Sequence, residues 1–360
     1  MSVQHSGKVA IVNTYNDTWR RRWPMHCNFD ALGGSCLPTS ALLKDKHDTM
    51  VDGEYLPEHT PWAESTAMGP GHDPVLPPAA KAMIDLHTHT DESDGSLRPE
   101  ELVAEAARIG LEGLAITDHD TLAGYDQAIA CAARWSIDLV RGIELSAEYR
   151  GRSAHLLAYF PHEPPSRQFR SWISTLQAGR RKRNEALVEK LTAAGMPVTL
   201  EEVSKRGKRL VARPHFAALM VEKGYVSSAQ QAFDEYLDES GACFVSRDEP
   251  PFSEAVARII GARGIPVLAH PVRIAREPDA LLDSLRDMCR MGLRGIEVYH
   301  SDHSPAQTEF YALLALKLDL TVTGGSDYHG AAKPRVALGT GIGGNVRVPR
   351  SVIDELRRIV

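Results

Sequence analysis

The chain has 360 residues, of which 43% are hydrophobic and 24% charged, a composition typical of a globular protein with a sizeable core. A formal net charge of −6 argues against a surface for long nucleic acid, and no apolar stretch is long enough to cross a membrane. Five scattered cysteines form neither a CxxC motif nor a disulfide framework, and no signal peptide is apparent. We therefore predict a cytoplasmic protein without a protein partner.

Residues 1–82 differ from the rest of the chain. They show no sustained helical or alternating period, and they end in the Pro- and Gly-rich segment AMGPGHDPVLPPAA. We predict a disordered or loosely attached extension here. The alternative is that the true start of the protein is Met83, which directly precedes the first predicted strand.

From Met83 onward, strands and helices alternate. The strand MIDL precedes the helix RPEELVAEAARIG, in which Pro99 suits the first turn and Gly110 the end. GLAIT and LAGYDQAIACAARW repeat this order, and the strands DLVRGIEL and AHLLAYF follow. Later, IPVLA and GIEVY each precede a helix, and the strand LTVTG comes last. This alternation predicts a parallel α/β sheet, and the number of units favours a closed barrel.

A polar and basic helical stretch interrupts this order. It runs from about Ser166 to Ala194, and the helices RPHFAALMVEKG and SAQQAFDEYL continue it. We therefore predict a barrel formed by residues 83–163 and 243–360. Residues 164–242 would form a helical insertion that covers the substrate.

Histidines and acids accompany almost every predicted strand. Those in question are His87, His89, Asp118, His119, Asp120, Glu144, His155, His270, His300, Asp327 and His329. In a parallel barrel the carboxyl ends of the strands meet at one face, where active sites are built. Imidazoles and carboxylates without thiolates suit Zn, Mn or Fe, and the set is larger than one ion requires. The pattern predicts a cluster of two or three ions that share a bridging carboxylate.

Each of these motifs also has a purely structural interpretation. Asp120 in TDHD could be the N-cap of the following helix, and Asp327 in GGSDYHG could bind its own backbone. Glu144 could be an exposed strand end, and His155 a buried histidine with satisfied hydrogen bonds. The repeated position at strand ends favours the metal site over this set of coincidences.

The motifs DLHTHTDESDG, ITDHD, GIELS, AHLLAY, RPHF, LAHP, GIEVYH and GGSDYHG occur in the order typical of the PHP (polymerase and histidinol phosphatase) family. Residues 83–348 resemble this family, which implies a distorted seven-stranded β/α, TIM-like barrel with a helical insertion domain. The resemblance implies two to three divalent ions, with Mn as first choice and Zn or Fe as alternatives. The implied ligands are His87, His89, Glu144 and Asp327 for one ion; Glu144, His155 and His270 for a second; and Asp94, His119 and His329 for a third. Asp91 competes with Asp94 from the same loop.

The insertion and the RPHF segment resemble one branch of this family, whose members act on nucleoside 3',5'-bisphosphates and, in some cases, on short oligoribonucleotides from the 5' end. The implied reaction removes the 3'-phosphate through a metal-bridging hydroxide, with Glu144 joining the metals. The nearest alternative is histidinol phosphatase or another small-molecule phosphomonoesterase. Further alternatives are an amidohydrolase and a catalytically inactive, metal-bound scaffold domain.

Basic side chains of the insertion are the predicted substrate contacts. We predict that Arg180 and Arg183 lie at the head of a helix, where the helix dipole disfavours cations, so a phosphate partner explains them better than a solvated basic face. Arg213 and His215 flank Pro214, which fixes a helix start. Arg213 could bind phosphate, and His215 could bind phosphate or protonate the leaving oxygen.

Three further residues have open roles. Asp85 precedes His87 by two positions and could accept a hydrogen bond from a ligand imidazole, or could bind backbone groups as a buried strand acid. His300 and His303 follow another strand and could face the substrate or support the ligands. Few aromatic residues are present, and no motif identifies a nucleobase pocket.

Overall fold

The computed structural model describes residues 84–205 and 210–359 of the chain. The predicted extension over residues 1–82, and Met83 with it, lies outside the described residues. Within the described ranges, the helices are all too short or too polar to span a membrane.

Seven strands form one sheet in which each strand pairs with its neighbours in the sequence. They are β1 Ile84–Asp85, β2 Gly113–Ile116, β3 Asp138–Tyr149, β4 Arg152–Phe160, β5 Ile265–Leu268, β6 Gly295–Tyr299 and β7 Thr321–Gly324. Backbone hydrogen bonds also join the segments that follow β7 and β1. The Leu86 amide donates to the Gly324 carbonyl over 3.2 Å, and the Asp327 amide donates to the His87 carbonyl over 2.8 Å. The sheet is therefore a nearly closed seven-stranded barrel, as predicted.

Helices pack around this barrel. In the described part of the chain they are α1 Pro99–Ile109, α2 Ala123–Trp135, α3 Arg167–Ala193, α4 Leu200–Ser204, α5 Arg213–Glu222, α6 Ala229–Ala232, α7 Phe252–Gly261, α8 Pro278–Arg290, α9 Pro305–Leu318 and α10 Ser351–Leu356. The first of them shows how local sequence sets the bounds. Pro99 occupies the first turn, where its missing N–H costs nothing, and Gly110 ends the helix with a left-handed φ of 77°. Helices α4, α7 and α10 were not among the predicted elements.

The sheet is not wholly parallel, which corrects the sequence-based expectation. Strand β4 pairs antiparallel with both β3 and β5. Arg150 and Gly151 form a tight turn with φ values of 51° and 78°, so β3 and β4 form a hairpin instead of a strand-helix-strand unit. The beginning of β4 therefore lies at the same edge as the carboxyl ends of the other strands. This reversal explains why His155 lies near the beginning of β4, whereas the other histidines at this edge follow the ends of their strands.

Apolar side chains fill the barrel and close its far end. Tyr159, Val267 and neighbouring residues line the interior, and Val352, Ile353 and Leu356 of α10 pack beneath them in the same cluster. On the outside, α7, α8 and α9 cover β3 to β6 in a second cluster, and α1 and α2 cover β2 in a third. Apolar side chains fill this end of the barrel interior, and the histidines and acids that accompany the strands lie at the other end.

Helix α3 belongs to two hydrophobic cores. Phe169, Trp172 and Ile173 near its start pack against the barrel, whereas Leu187 and Leu191 pack in a separate cluster with α5 and its neighbours. A domain boundary at residue 164 stays a prediction, but the unbroken helix crosses from one core to the other.

The position of the basic residues on α3 corrects a second expectation. The helix begins at Arg167, so Arg180 and Arg183 lie near its middle and not at its start. The helix-dipole argument for a phosphate partner therefore does not apply, because the dipole acts within the first and last turns. Both side chains are nevertheless buried, with exposed fractions of 7% and 6%, which a solvated basic face does not explain.

Candidate metal centre

The open end of the barrel carries a group of histidines and carboxylates delivered by six of its seven strands. We call these nine residues the metal cluster: His87, His89, Asp94, His119, Glu144, His155, His270, Asp327 and His329. All are buried except His119 and His155, which are partly exposed. The structure thus brings together every residue that the sequence suggested as a metal ligand, and their role as ligands stays a prediction.

Four atoms at the centre of the cluster have the spacing of a coordination shell. His87 Nε2 lies 3.4 Å from Glu144 Oε2 and 3.5 Å from Asp327 Oδ1. His89 Nε2 lies 3.2 and 3.4 Å from the same two oxygens. A tetrahedral ion with bonds of about 2.0–2.2 Å separates its ligands by about 3.3–3.6 Å. These four atoms can therefore surround one divalent cation with little movement.

Glu144 presents its two oxygens to different partners. Oε2 faces His87, His89 and His119, the last through Nδ1 at 3.2 Å. Oε1 lies 2.7 Å from His155 Nδ1 and 3.1 Å from His270 Nε2. A carboxylate arranged in this way can bridge two ions, one on each side.

A third group lies on the other side of His89. Asp94 Oδ1 is 3.2 Å from His329 Nε2, and Asp94 Oδ2 is 3.7 Å from His119 Nε2. His89, Asp94, His119 and His329 offer ligand atoms that lie within 4.8 Å of one another. Asp94 faces the cluster, whereas Asp91 belongs to none of the groups of such spacing in the described residues. His119 contacts Glu144 through one nitrogen and Asp94 through the other, so it is suited to either neighbouring site.

The hydrogen bonding of these imidazoles fits a bound cation. His87 Nε2, His89 Nε2 and His119 Nδ1 are buried and make no hydrogen bond, although carboxylate oxygens lie 3.2–3.5 Å away. Buried polar atoms are rarely left without a partner in proteins. A divalent ion between these nitrogens and oxygens would satisfy them together, so the donor set fits metal binding.

Burial and charge set the protonation of the cluster. Burial alone would raise the pKa of the Glu144 carboxyl, but His119, His155 and His87 hold that pKa well below its usual range. Burial lowers the pKa of His119 to about 3, although Glu144 and Asp94 oppose the shift. Burial likewise holds the pKa of His270 well below its ordinary value, with Arg273 adding to the effect. At His89, burial opposes the charged form, but Asp327 and Glu144 raise the pKa to about 9. Metal binds neutral imidazoles and ionised carboxylates, so an ion held by His89 would displace a proton.

A buried glutamate that the sequence analysis missed supports two of the predicted ligands. Glu297 on β6 places Oε1 2.9 Å from His87 Nδ1, and its Oε2 accepts from the His270 amide over 2.8 Å. A carboxylate on the far nitrogen of a ligand imidazole fixes its tautomer and orientation. Asp85 has the other role that we considered for it. It accepts hydrogen bonds from the amides of His87, Ser326 and Gly339 instead of from an imidazole.

The backbone around the cluster is tightly constrained. His270 and Asp327 have φ values of 27° and 56°, in a region that non-glycine residues adopt only when their surroundings require it. A Cβ on Gly325 would lie 2.2 Å from the His87 amide nitrogen, so only glycine lets the segment after β7 approach the segment after β1. Asp118 accepts from the Thr90 amide and the Ser93 hydroxyl, and so orders the loop that carries Asp94.

A cavity of about 340 Å³ opens above the metal cluster. Five of the lining residues are arginines. One of them, Arg273, pairs with Asp302 over 2.9 Å, and we call the other four the arginine wall: Arg180, Arg183, Arg213 and Arg247. A volume of this size is within the range of small-molecule sites, about 300–1,000 Å³. One space therefore joins a candidate metal site to a concentrated positive charge.

Asp120 holds two arginines of this wall. Its Oδ2 accepts from Arg180 Nε over 2.6 Å and from Arg247 Nη1 over 2.8 Å. Burial would raise the pKa of Asp120, but the two guanidinium groups keep it below its usual range. The N-cap of α2 is Leu122, so Asp120 does not have the capping role that we considered.

The other two arginines of the wall have no carboxylate partner at ion-pair distance within the described ranges. Arg183 donates to the Asn184 side chain over 2.9 Å, and Arg213 donates to the Val245 carbonyl over 3.2 Å and lies over the Phe244 ring. Burial, together with the charge of neighbouring arginines, holds the pKa of Arg183 well below its ordinary value. A buried cation without a counter-charge is costly, and a bound anion would remove that cost.

Three histidines with predicted substrate roles lie outside the lining of this cavity. His215 accepts a hydrogen bond from the Ala212 amide at the start of α5. His300 accepts from the Asp302 amide, and its Nε2 lies 3.5 Å from Asp327 Oδ2. His303 Nδ1 lies 2.9 Å from the Val298 carbonyl. Substrate contacts by these residues stay predictions, and the contacts seen in the structure are with the protein itself.

Arg247 and Lys333 also line the cavity, and the sequence analysis did not identify them. Arg247 lies on a loop before α7 and Lys333 follows β7 by nine positions, where its Nζ is 2.6 Å from Asp327 Oδ2. Neither belongs to a motif. For Glu297 a signal was present, since an acid inside an otherwise apolar strand, GIEVY, requires a buried partner.

A barrel of this kind, with a cluster of imidazoles and carboxylates at its open end, defines a metal-dependent hydrolase. Comparison with known proteins makes this more specific. Residues 85–242 match the PHP domain family. The chain is 33% identical over 246 residues to a 5'-3' exoribonuclease of Haemophilus influenzae, which covers 68% of this chain and 89% of that protein.

Two further relatives act on other phosphate esters, according to their names. A 3',5'-nucleoside bisphosphate phosphatase of Chromobacterium violaceum is 32% identical, covering 69% of this chain and 87% of that protein. A phosphoribosyl 1,2-cyclic phosphate 1,2-diphosphodiesterase of Eggerthella lenta is 35% identical, covering 68% and 94%. A solved structure from Bifidobacterium adolescentis, described as a metal-dependent phosphoesterase, superposes with a TM-score of 0.67 at 33% identity, covering 76% of this chain and 94% of that one.

This chain belongs to the PHP domain family. It is a hydrolase that acts on phosphate esters, and its His/Asp/Glu cluster is able to bind metal.

Proposed function

We propose that this protein removes the 3'-phosphate of nucleoside 3',5'-bisphosphates and also degrades short oligoribonucleotides from the 5' end. The observation that carries the proposal is that one cavity joins a candidate metal site to a group of arginines, which would give it two regions for anions. The metal cluster forms its floor, and the arginine wall lines its side. A substrate with one phosphate can use only one of these regions, whereas a bisphosphate can use both.

The metal cluster would hold two to three divalent ions, with Mn as first choice and Zn or Fe as alternatives. Bound ions of this kind lower the pKa of a water molecule and neutralise charge on phosphoryl oxygens. The residues of the chain set the arrangement in which this happens. Glu144 spans two sites, and Glu297 holds His87 and the His270 backbone in place.

The arginine wall would bind the second phosphate. Arg183 and Arg213 are the strongest candidates, because both line the cavity and both lack a carboxylate partner at ion-pair distance among the described residues. A planar guanidinium can bind two phosphate oxygens at once. Arg180 and Arg247 are already paired with Asp120, and so would add positive charge more than direct hydrogen bonds.

The reaction breaks one bond and forms one. The oxygen of a water molecule bonds to the phosphorus of the 3'-phosphate, the bond between phosphorus and the ribose 3'-oxygen breaks, and that oxygen leaves with a proton. We keep His215 as a candidate proton donor for the leaving oxygen, although its Nδ1 accepts from the Ala212 amide. The variant His215→Gln tests this role through the alkaline limb of the pH–rate profile.

A substrate panel with added Mn tests the proposed function. Adenosine 3',5'-bisphosphate, 3'-AMP, 5'-AMP, histidinol phosphate and a 5'-phosphorylated dinucleotide would be compared by kcat/KM. We expect the bisphosphate to exceed 3'-AMP by about 100-fold, because pairing a buried arginine with an anion is a contribution of about 2–5 kcal/mol. Equal turnover of the bisphosphate and 3'-AMP would contradict the role of the arginine wall. Preferred hydrolysis of histidinol phosphate would point to the phosphomonoesterase alternative.

A cyclic phosphodiesterase is a second candidate function. The relative with this activity in its name is 35% identical over 252 residues, a similarity comparable to that of the bisphosphate phosphatase. A phosphoribosyl cyclic phosphate also has two phosphate groups, so the same pair of anion-binding regions could accept it. Adding this compound to the panel decides between the two candidates.

A further inference from the structure

A second cavity of about 390 Å³ lies beside the first, and the proposed function does not yet account for it. Ser153 and Arg273 line both cavities. The remaining walls come from the tip of the β3–β4 hairpin and from the first turns of α8. Because the two cavities share residues, a ligand that fills the first can extend directly into the second.

The second cavity is positively charged. Arg150, Arg152 and Arg273 line it, with Asp283 as the one acid among the lining residues. Arg152 is exposed and forms no ion pair within residues 84–205 and 210–359. Arg150 pairs with Asp287 over 3.2 Å, but its side chain is 59% exposed, so solvent weakens this pair. Arg273 pairs with Asp302 over 2.9 Å, so Arg152, and Arg150 in part, are available to an anionic ligand.

The same cavity offers a stacking surface. The Tyr149 ring is buried against Phe252 and lies beneath the Arg150 guanidinium, which is 5.0 Å from the ring centre. The ring supports the guanidinium from below, and the Arg150 side chain, 59% exposed, is the surface on which a base can stack. Proteins that bind single-stranded nucleic acid commonly stack bases on aromatic rings and on guanidinium planes, next to cations that contact the backbone. Arg150 supplies the guanidinium plane, and Arg152, two positions later and exposed, supplies a cation for the backbone.

The hairpin connects this surface to the metal cluster. Glu144 and His155 lie on β3 and β4 where the two strands enter the cluster, and Tyr149 and Arg152 pair at the other end of the hairpin. Arg152 precedes His155 by three residues and lies closer to the tip of the hairpin, about 10 Å away along an extended strand. A chain held at the cluster can thus reach Arg152 without leaving the surface of the protein.

We propose that this second cavity binds the nucleotide downstream of the scissile phosphate in a short oligoribonucleotide. The inference rests on the proposed function and adds a subsite to it. In a bisphosphate the 3'-phosphate is a terminal monoester. In an oligonucleotide the same phosphorus is also bonded to the 5'-oxygen of the next nucleotide, so the phosphate is a diester. Hydrolysis breaks the same phosphorus–3'-oxygen bond in both. The downstream chain leaves with a new 5'-phosphate, and the 3'-oxygen of the first nucleotide takes a proton.

Kinetics of a double variant test the subsite. Arg150→Ala/Arg152→Ala would be compared with the wild-type enzyme and with Arg108→Ala, which removes an exposed arginine from α1 on another part of the barrel. We expect kcat/KM for 5'-phosphorylated di- and trinucleotides to fall about tenfold, because stacking is a contribution of about 1–3 kcal/mol per base. Hydrolysis of adenosine 3',5'-bisphosphate should stay within twofold, which also shows that the variant is folded. An equal loss with both substrates, or no loss with either, overturns the inference.

Direct binding separates this inference from the proposed function. A fluorescent tetranucleotide with phosphorothioate linkages would be titrated into each protein at several salt concentrations. We expect the double variant to bind at least tenfold more weakly, with a salt dependence that is shallower by about 0.7 per lost phosphate contact. If the wild type hydrolyses the bisphosphate but does not bind the tetranucleotide, the subsite is wrong and the proposed function stands. If the tetranucleotide binds through Arg150 and Arg152 but the bisphosphate is not hydrolysed, the proposed function is wrong and the subsite stands.

Discussion

The metal cluster and the arginine wall face one cavity but are built in different ways. The cluster comes from strand ends, and its side chains are held on several sides by carboxylates and by strained backbone. The wall comes from α3, the start of α5 and a loop before α7, and one carboxylate, Asp120, holds half of it. The cluster combines three carboxylates with six histidines. The four guanidinium groups of the wall have two carboxylates, Asp120 and Glu249, as ion-pair partners among the described residues. Under the proposed function, the cluster performs hydrolysis and the wall selects the substrate.

The largest expected effect comes from removing a group of the metal cluster. His89→Ala and His329→Ala should each lower phosphate release by about 1,000-fold or more with every substrate, because each removes a predicted ligand. Metal content of the purified variants, measured by mass spectrometry, should fall below the wild-type value. Full activity in either variant would contradict the cluster as the catalytic centre. Absence of activity in the wild type would favour the inactive scaffold.

A change in the wall should alter selectivity instead. Arg183→Ala should lower kcat/KM for adenosine 3',5'-bisphosphate by about 100-fold, because the second phosphate loses a buried cationic partner. Hydrolysis of 3'-AMP should change little. Arg181→Ala is the matched control, since Arg181 is exposed on the same helix. A loss of the same size with both substrates would mean that the wall and the cluster are not separable.

The variant Glu297→Gln tests how far the metal cluster depends on the carboxylate that holds His87. The amide keeps the size of the side chain but removes the charge that orients His87, and such changes typically cost about 10–100-fold in metal affinity or activity. We expect kcat to fall and KM for the bisphosphate to stay similar, because the wall is unchanged. The affinity for Mn, measured by titration calorimetry, should fall in parallel. A higher KM with an unchanged kcat would instead indicate that Glu297 takes part in substrate binding.

The smallest effect is expected at the far end of the barrel. Asp138 pairs with Arg350 and with Arg357, and hydrogen bonding to Arg357 lowers its pKa despite partial burial. Because the folded-state pKa lies below the unfolded value, this pairing stabilises the protein above about pH 4 and is lost as the pH falls through the folded-state pKa. Asp138→Asn should lower the free energy of unfolding by about 0.5–1 kcal/mol at pH 7.

Urea unfolding at pH 7 and pH 3 checks this last prediction. The difference between the variant and the wild type should shrink at pH 3, where the wild-type carboxyl begins to protonate. Bisphosphate hydrolysis at pH 7 should be unchanged, because Asp138 lies at the end of the barrel that α10 covers. A lower kcat would show that the two ends of the barrel are coupled.

The sequence predicted the barrel and the cluster because both depend on local order. Most strands are short apolar runs in the sequence. A histidine or acid directly after such a run lies at the carboxyl end of a strand, and in a barrel these ends meet at one face. The reversal of β4 was not predicted, although a signal was present. Residues 146–153, between DLVRGIEL and AHLLAYF, are too few for a parallel crossover, which needs about a dozen residues or more. Arg247 was missed for a different reason, since its contact with Asp120 joins residues 127 positions apart. Arg180 and Arg183 were wrongly placed at the head of a helix, because the helix begins earlier, at Arg167.

One dipeptide links the two regions of the cavity. His119 faces the metal cluster, and Asp120 beside it holds Arg180 and Arg247. Consecutive Cα atoms are about 3.8 Å apart across a trans peptide, so a histidine of the metal cluster and the carboxylate that holds two arginines of the wall share one short backbone segment. A movement of this backbone segment would displace a cluster histidine and the anchor of Arg180 and Arg247 together.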